Sequence, residues 1–242
     1  MSTTICLDFG NTRQKAALFA DGVLKEIVIL EEPLPQSVAQ LLERYQPQHV
    51  ILSSVINHPP EVDALLEART GYHRLSSTSK LPFTIPVGKP ETMGADRLAI
   101  GAAAVYMRPG QHNLVIALGS CITYNFINKD HQFIGGSISP GMEMRFKAMH
   151  QFTARLPLVK GEWNVPLIGY DTATNLKSGV VFGMAKEIDG MIDEYQERYS
   201  NFNVLLTGGD LGFFDPHIKN RIFADPDLIF KGLYAISQVN HA

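Results

Sequence analysis

Ile5-Cys-Leu-Asp-Phe-Gly-Asn-Thr-Arg-Gln-Lys-Ala-Ala-Leu-Phe19 begins and ends with apolar residues and is interrupted by a polar segment that contains a glycine. Two apolar runs joined by a short Gly/Asn segment predict a β-hairpin. Gly10 lets the backbone approach an anion closely, and the neighbouring N–H groups can point at phosphate oxygens. Asp8, at the end of the first strand, could hold a magnesium ion or its waters, and Lys15 could meet phosphate charge. The alternative is an ordinary hairpin in which Asn-Thr serves turn geometry alone.

The composition is that of a globular protein without a nucleic-acid footprint. The chain has 242 residues, of which 45% are hydrophobic and 19% charged, and its net charge is −3. A slightly acidic chain lacks the basic patch that nucleic acid requires, and no apolar run is long enough to span a bilayer. The N-terminus lacks a secretory signal pattern, and Cys6 and Cys121 lack metal-ligand spacing. We therefore expect a cytoplasmic protein in which both cysteines are small buried residues.

The segment after the opening hairpin predicts an α/β layer built on a mixed sheet. Residues 23–30 are typical of a third strand, and residues 37–45 have apolar side chains at helical spacing, with Ser37 as a candidate N-cap. Residues 50–55 form an apolar run that is typical of a buried strand parallel to the first one. Residues 60–70 predict another helix, so that helices and strands alternate.

A second candidate site residue lies at the start of the next helix. Gly94-Ala95-Asp96-Arg97 leads into a predicted helix over residues 98–107, which is rich in small residues. Asp96 could serve only to cap the first helical turn, as aspartate does well. Alternatively, its carboxylate could project into a cleft as a general base. The four residues alone leave both roles open.

The strand–turn–strand pattern of the opening returns in the middle of the chain. Residues 114–118 and 122–127 predict two strands, and Gly119-Ser120 predicts the turn between them. A weak echo of this kind is typical of a duplicated fold whose halves have diverged. Two glycine-containing hairpins, one in each half, could face each other across a cleft and hold a nucleoside triphosphate.

The rest of the chain predicts further elements of the second half. A helix expected over residues 142–155 has Met142, Phe146, Met149 and Phe152 near one face, which favours core packing over a subunit contact. The remaining predictions are a strand and glycine-rich bend over 133–141, a helix running through 179–195 that Asp171-Thr172 caps, a strand over 203–207, a turn at Gly208-Gly209-Asp210 suited to a purine ring, and a helix over 228–239.

These motifs together resemble those of the type III pantothenate kinases, also called the Bvg accessory factor family, over nearly the whole chain. Asp8 to Lys15 is similar to the family's first phosphate motif, Asp-x-Gly-Asn-Thr-x-x-Lys, and Gly94 to Arg97 is similar to its Gly-x-Asp-Arg motif. Further matches are Gly135-Gly-Ser-Ile-Ser-Pro-Gly141, Thr153-Ala-Arg-Leu-Pro157, Thr172 and Thr207-Gly-Gly-Asp210. Each match is weak alone, but their order and separations make the resemblance specific.

The resemblance implies an actin-like ATPase fold, an α/β fold of two ribonuclease-H-like halves, residues 1–110 and 111–242, with the active site in the cleft between them. The last helix is expected to pack back on the first half. The implied activity is ATP-dependent phosphorylation of pantothenate at its primary hydroxyl, the first step towards coenzyme A. The implied cofactors are magnesium and a monovalent cation, potassium or ammonium, and the implied assembly is a homodimer.

The resemblance also implies a role for each motif residue. Asp96 would be the catalytic base that accepts the hydroxyl proton, and Asp8 would order magnesium. The residues implied to bind ATP and its phosphates are Asp8, Phe9, Gly10, Asn11, Thr12, Arg13, Gln14, Lys15, Gly119, Ser120, Gly208 and Gly209. The positions implied to bind pantothenate are Val87, Gly94, Ala95, Asp96, Arg97 and Thr172.

Several positions depart from the family pattern. Ala117 replaces the aspartate that holds the monovalent cation, Val87 replaces a pantothenate-contacting tyrosine, and Asn125 replaces a later acidic residue. Ser120 stands where the family usually has threonine. We favour an active kinase, because the base and the first hairpin are intact. The alternatives are a regulatory protein that binds a nucleotide or pantothenate without turnover, and a phosphotransferase for another small alcohol.

Overall fold

The computed structural model describes residues 2–86 and 88–241, which form two compact units. The first unit comprises the described parts of residues 1–110, 127–135 and 227–242, and the second comprises residues 111–126 and 136–226. None of the helices in the described part of the chain has the length and apolar character needed to cross a bilayer.

Strands and α-helices alternate along much of the described chain. The strands are β1 (Thr3–Phe9), β2 (Gln14–Ala20), β3 (Val23–Leu30), β4 (His49–Ser54), β5 (Gly71–Arg74), β6 (His112–Leu118), β7 (Cys121–Ile127), β8 (Phe133–Pro140), β9 (Phe202–Thr207) and β10 (Phe223–Ala224). The helices are α1 (Leu34–Tyr45), α2 (Pro60–Arg69), α3 (Ala95–Met107), α4 (Met142–Gln151), α5 (Thr172–Arg198), α6 (Leu211–Phe214) and α7 (Leu228–Asn240).

The first sheet has the strand order β3-β2-β1-β4-β5, with β1 at its centre. β1 pairs antiparallel with β2 through the predicted hairpin and parallel with β4, as the sequence also predicted. Because side chains alternate along a strand, each face of β1 receives every second residue. Ile5, Leu7 and Phe9 belong to the apolar core beneath α1 and α2. Cys6 and Asp8 therefore project from the opposite face.

That opposite face is covered by α7 and α3. α7 packs on β1 and β4, and its Tyr234 stacks on Phe19 of β2 at a centroid distance of 4.5 Å. The two helices approach closely, because a Cβ on Gly232 would clash with the carbonyl oxygen of Ala99. α3 thus lies over the sheet face from which Asp8 projects.

The second sheet repeats the topology of the first. Its order is β8-β7-β6-β9-β10, and β6 pairs parallel with β9 as β1 pairs with β4. In both sheets, three sequential strands are followed by two more on the far side of the first strand. The shared strand order agrees with the internal duplication that the two hairpins predicted.

The start of α1 differs from its prediction. The helix begins at Leu34, and Ser37 lies inside it instead of capping it. Pro35 fits in the first turn, where N–H groups have no helical partner, so the helix can start before the serine. The Ser37 hydroxyl instead donates to the Glu31 carbonyl oxygen at 2.6 Å.

The helix predicted over residues 142–155 is shorter, and its apolar face is only partly core. α4 ends at Gln151. Phe146 is buried as predicted, but Phe152 is 81% exposed, so its assignment to the core is wrong. Cys121 is likewise partly exposed, whereas Cys6 is buried. β5 and α6 were not predicted, because each has only four residues and neither shows a long periodic pattern.

Candidate active site

The loop of the first hairpin is closed by its own hydrogen bonds. The Gly10 N–H donates to the Arg13 carbonyl oxygen at 3.1 Å, and the Gln14 side-chain amide donates to the Gly10 carbonyl oxygen at 3.1 Å. Asn11, Thr12 and Arg13 are exposed. Within the described chain, no backbone hydrogen bond uses the N–H of Asn11 or Thr12. These two N–H groups are available to an anion.

Asp8 and Lys15 lie directly opposite each other on this hairpin. Opposed residues of an antiparallel pair project from the same face, so the carboxyl and the ammonium group share one side of the sheet. Phe9 points the other way and is fully buried, with its ring edge-on to His58 at a centroid distance of 5.3 Å. The Phe9 side chain therefore supports the hairpin from the core side.

Asp96 lies in the first turn of α3 but does not cap the helix. The N-cap residue is Gly94, a glycine, which has no side chain that could make a capping hydrogen bond. The carboxylate folds back over Gly94, because a Cβ on Gly94 would lie 2.5 Å from Asp96 Oδ1. Gly94 therefore leaves room for the carboxylate, and Asp96 is an acid of the first helical turn without being the N-cap residue.

The two acids of the first unit interact. Burial of the Asp8 carboxyl is the largest cause that raises its pKa, the negative charge of Asp96 adds to it, and Lys15 acts in the opposite direction. Together they raise the pKa of Asp8 from 3.8 to about 7. Of the charged groups that act on Asp8, one is a second acid and one is a lysine, and this balance together with burial favours the binding of a cation or a proton at Asp8.

Arg97 lies over an aromatic ring that no sequence motif includes. Its guanidinium carbon lies 5.6 Å from the centroid of the Phe133 ring, which is a cation–π geometry. Phe133 is fully buried and packs against Phe83 at a centroid distance of 5.8 Å. A Cβ on Gly101 would lie 3.1 Å from this ring, so the small residues of α3 make room for it. Sequence reasoning did not single out Phe133 as a partner of the candidate site residue Arg97, and tertiary packing alone reveals the contact.

The second hairpin places Gly119 and Ser120 between β6 and β7, and two other glycines pack against it. A Cβ on Gly141 would clash with the Gly119 carbonyl oxygen, and one on Gly208 would clash with the backbone at the end of β6. The Gly141 N–H donates to the Ser120 carbonyl oxygen at 3.0 Å. Gly209, next to Gly208, has open space around it. The glycine-rich bend and the predicted adenosine-side turn therefore both contact the second hairpin within the second unit.

The two positions where the second half lacks an acid have different surroundings. Ala117 is partly exposed near the end of β6, opposite Thr207 of β9. Asn125 is fully buried, and its amide nitrogen donates to the Val115 carbonyl oxygen at 3.2 Å and to Thr123 Oγ1 at 3.0 Å. The Asn125 amide thus bonds within the sheet, and the Ala117 methyl group offers no ligand atom.

Thr172 lies in the second unit, at the first position of α5. Asp171 caps this helix through a reciprocal capping box with Thr174, which confirms the predicted cap. Thr172 is exposed and borders an apolar groove of about 830 Å³ between α4 and α5. The groove is lined by apolar side chains that include Met144, Met149, Phe152, Leu156, Leu176 and Val180. Of the other positions predicted to bind pantothenate, Ala95 begins α3, and Val87 lies outside the described residues.

A family model described as type III pantothenate kinase matches residues 4–194. The chain belongs to this family. The type III pantothenate kinase of Cytophaga hutchinsonii is 41% identical over 236 residues, which cover 98% of this chain and 99% of that protein. The type III pantothenate kinase of Phocaeicola vulgatus is 40% identical over 238 residues, which cover 98% of each chain. The family predicted from the motifs is confirmed.

Solved structures similar to this pantothenate kinase family member share its fold. A Baf family transcriptional activator from Campylobacter jejuni has 22% sequence identity and a TM-score of 0.62, with 98% of both chains covered. A ROK hexokinase from Thermus thermophilus has 11% identity and a TM-score of 0.52, with 99% of this chain and 100% of that chain covered. The likeness is one of fold, and it confirms the predicted duplicated, actin-like ATPase fold. The predicted cleft between the halves stays a prediction.

Kinases of this family use ATP and a divalent metal, and the acids of the first unit fit such a cation. Among residues 2–86 and 88–241, no three His, Cys, Asp or Glu side chains form a group that could hold a metal ion. Asp8, however, is a partly buried acid that interacts with a second acid. Mg²⁺ commonly binds through one or two carboxylates together with substrate phosphates and waters. The site therefore suits a cation that is shared with ATP.

Asp8→Asn should stabilise the ligand-free protein above neutral pH. The folded-state pKa of about 7 exceeds the reference value of 3.8, so the wild-type protein loses stability as pH rises through this interval. The variant should gain about 1–3 kcal/mol in the free energy of unfolding at pH 8 and nothing at the acidic end. Urea denaturation across this pH range measures the difference. Asp130→Asn, at an exposed turn, is the control. If the difference in the free energy of unfolding between Asp8→Asn and the wild type did not change with pH, the raised pKa of Asp8 would be contradicted.

Proposed function

We propose that this chain transfers the γ-phosphoryl group of ATP to the primary hydroxyl of pantothenate and so forms 4'-phosphopantothenate. The observation that carries the proposal is the interacting pair of acids, Asp8 and Asp96, in one unit with Lys15 opposite Asp8. Phosphoryl transfer needs positive charge at the phosphates and a group that positions the attacking alcohol and accepts its proton. An acid on a strand end and an acid on a helix start can divide these tasks.

Asp96 is the proposed catalytic base. The hydroxyl oxygen of pantothenate bonds to the γ-phosphorus, and its proton passes to an Asp96 carboxylate oxygen. The bond between the γ-phosphorus and the β,γ-bridging oxygen breaks, and ADP leaves. Arg97 supplies a positive charge for the pantothenate carboxylate, and its contact with the Phe133 ring limits the motion of the guanidinium group. Gly94 provides the space that the Asp96 carboxylate occupies.

The first hairpin is the proposed binding element for the phosphates. The exposed N–H groups of Asn11 and Thr12 donate to phosphate oxygens, and Lys15 adds positive charge. Asp8 would hold Mg²⁺ directly or through water, and the bound ion would supply charge neutralisation for the phosphates. In the second unit, the proposal keeps the family assignment of ATP to Gly119, Ser120, Gly208 and Gly209, and of pantothenate to Thr172.

Asp96→Asn should abolish turnover of pantothenate while ATP still binds. The amide preserves the size of the side chain and removes the proton acceptor, so kcat should fall by about 10²–10⁴-fold. A coupled assay of ADP release with ATP, Mg²⁺ and pantothenate measures the loss. Asp130→Asn, an exposed carboxylate-to-amide change in the same unit, is the matched control and should keep wild-type turnover.

Three outcomes of this assay separate the proposal from its alternatives. Pantothenate turnover that depends on Asp96 supports the kinase. ATP binding by the wild-type protein without turnover of any alcohol would instead indicate a regulatory binding protein. Turnover of another small alcohol only would indicate a phosphotransferase of changed specificity, and Val87 would be the first position to exchange.

The kinase activity should not require potassium or ammonium. In the family, an aspartate holds the monovalent cation, and Ala117 has no side-chain oxygen to replace it. Asn125 carries an amide where the family has an acidic residue, and this side chain is fully buried within the sheet. Turnover should therefore be equal in potassium chloride and in choline chloride at the same ionic strength. Strong stimulation by potassium or ammonium would show that other oxygens of the chain hold the ion.

The proposal includes a homodimer formed through the second unit. Phe152, which lines the groove between α4 and α5, is 81% exposed, and Ile168 and Tyr170 in the segment leading into α5 are 85% and 81% exposed. Large apolar side chains exposed in the groove and in the segment leading into α5 are typical of an interaction surface. A second copy of the chain is the occupant that the family resemblance implies.

Phe152→Glu should convert the dimer into a monomer of 26.8 kDa. The substitution buries an unpaired charge at the proposed interface, which opposes association. Sedimentation velocity measures the mass, and circular dichroism checks that the variant is folded. Val23→Glu places the same charge on a valine of the first unit that is 53% exposed, and it should leave the dimer intact. A wild-type protein that sediments as a monomer would overturn the proposed dimer.

A further inference from the structure

Ser53 lies beside Asp8 on the neighbouring strand. β1 and β4 pair in parallel, and Asp8 is the register partner of Ser53. Neighbouring strands lie about 4.8 Å apart, and register partners project from the same face of the sheet. Lys15, Asp8 and Ser53 therefore form one row across β2, β1 and β4.

The packing of β4 shows which face this row occupies. Val50 and Leu52 belong to the apolar core beneath α1 and α2. Ser53 follows Leu52 and projects from the other face, because side chains alternate along a strand. That face is covered by α3 and α7, and Asp96 lies in the first turn of α3.

The Ser53 hydroxyl is buried without a partner. Its residue is 0% exposed, and its Oγ has no hydrogen-bond partner in the part of the chain that the structure describes. The next residue shows the usual arrangement: Ser54 Oγ donates to the Ile56 carbonyl oxygen at 3.0 Å and lies 3.1 Å from His58 Nδ1. A buried hydroxyl without a partner costs free energy of folding, so its presence requires a reason.

An acceptor lies beside this donor in the same row. Burial and the charges of Asp96 and Lys15 shift the pKa of the Asp8 carboxyl, and none of the described residues shifts it through a hydrogen bond. A carboxylate has two oxygens, so one can accept a hydrogen bond while the other binds a cation. Rotation about χ1 of Ser53 moves its Oγ among staggered positions, one of which can point along the row towards Asp8.

We propose that Ser53 is a positioning residue of the divalent-cation site: its hydroxyl donates to one Asp8 carboxylate oxygen and orients the other oxygen towards the cation. The inference rests on the proposed function, in that it takes Asp8 as the residue that holds the cation. Donors that orient a metal-binding carboxylate are general in metal sites, and losing one weakens metal affinity by about 10–100-fold.

The test measures Mn²⁺, a paramagnetic substitute for Mg²⁺, by electron paramagnetic resonance titration of the 242-residue chain with ADP present. Ser53→Ala should weaken Mn²⁺ binding by about tenfold or more. It should raise the Mg²⁺ concentration for half-maximal kinase activity in parallel. Ser53→Cys keeps the size of the side chain with a weaker donor, so its affinity should lie between those of the wild type and Ser53→Ala.

Ser237→Ala is the matched control. Ser237 lies on α7 in the same unit, is also 0% exposed, and also has an Oγ without a partner among the described residues. Each alanine variant removes one unpaired buried hydroxyl, so neither should lower the thermal stability. Only Ser53→Ala should change the affinity for Mn²⁺.

Wild-type Mn²⁺ affinity in Ser53→Ala would overturn the proposal. Equal losses in Ser53→Ala and Ser237→Ala would overturn it too, because they would indicate a general packing effect. If Ser53→Ala does not fold, Ser53→Cys decides by the same affinity criterion. If the wild-type chain binds no Mn²⁺ in the presence of ADP, Asp8 does not hold the cation, and the role proposed for Ser53 is overturned as well. Mn²⁺ binding that depends on Ser53 in a chain that does not phosphorylate pantothenate would refute the kinase function alone.

Discussion

The candidate site depends on one physical constraint, which is an acid on the central strand of a sheet that is covered on both faces. β1 lies between β2 and β4, so the Asp8 carboxyl loses hydration that bulk water would provide. Burial and Asp96 both raise its pKa, and Lys15 opposes them. A second acid that acts on Asp8 does not favour folding by itself. It does favour the binding of a cation or the uptake of a proton at Asp8. The space that Gly94 leaves for the Asp96 carboxylate serves the same requirement.

The duplicated topology shows that the fold does not need this acid. Asp8 at the end of β1 and Ala117 near the end of β6 occupy equivalent places, each two residues before the glycine of its hairpin. Each lies opposite a hydroxyl-bearing residue on the next parallel strand, Ser53 in the first half and Thr207 in the second. The same scaffold accepts a methyl group in one half and a carboxyl in the other. The packing of the sheet therefore does not account for the acid of the first half, which we attribute to the proposed cation site.

Local patterns in the sequence predict most of this architecture, and each miss has a physical cause. The hairpins and the Asp171 cap depend on neighbouring residues, so turn and capping signals reveal them. Ser37 was misassigned because the proline-containing segment before it already starts α1. Phe152 was misassigned because helical spacing identifies an apolar face but not what covers it. Ser53 and Phe133 belong to no motif, and only strand register and tertiary contacts reveal that they neighbour Asp8 and Arg97, respectively.

A buried polar atom without a partner is weak grounds for a function, as the two buried serines of the first unit show. Ser53 and Ser237 are equally inaccessible, and neither Oγ has a partner within the described chain. The difference is that Ser53 is in register with the Asp8 carboxyl, whose pKa is shifted by burial and charge and by no hydrogen bond from the described residues. One unpaired atom indicates a compromise in packing. An unpaired donor beside an unpaired acceptor indicates a third group that engages the pair, since departures from local folding rules concentrate at functional sites.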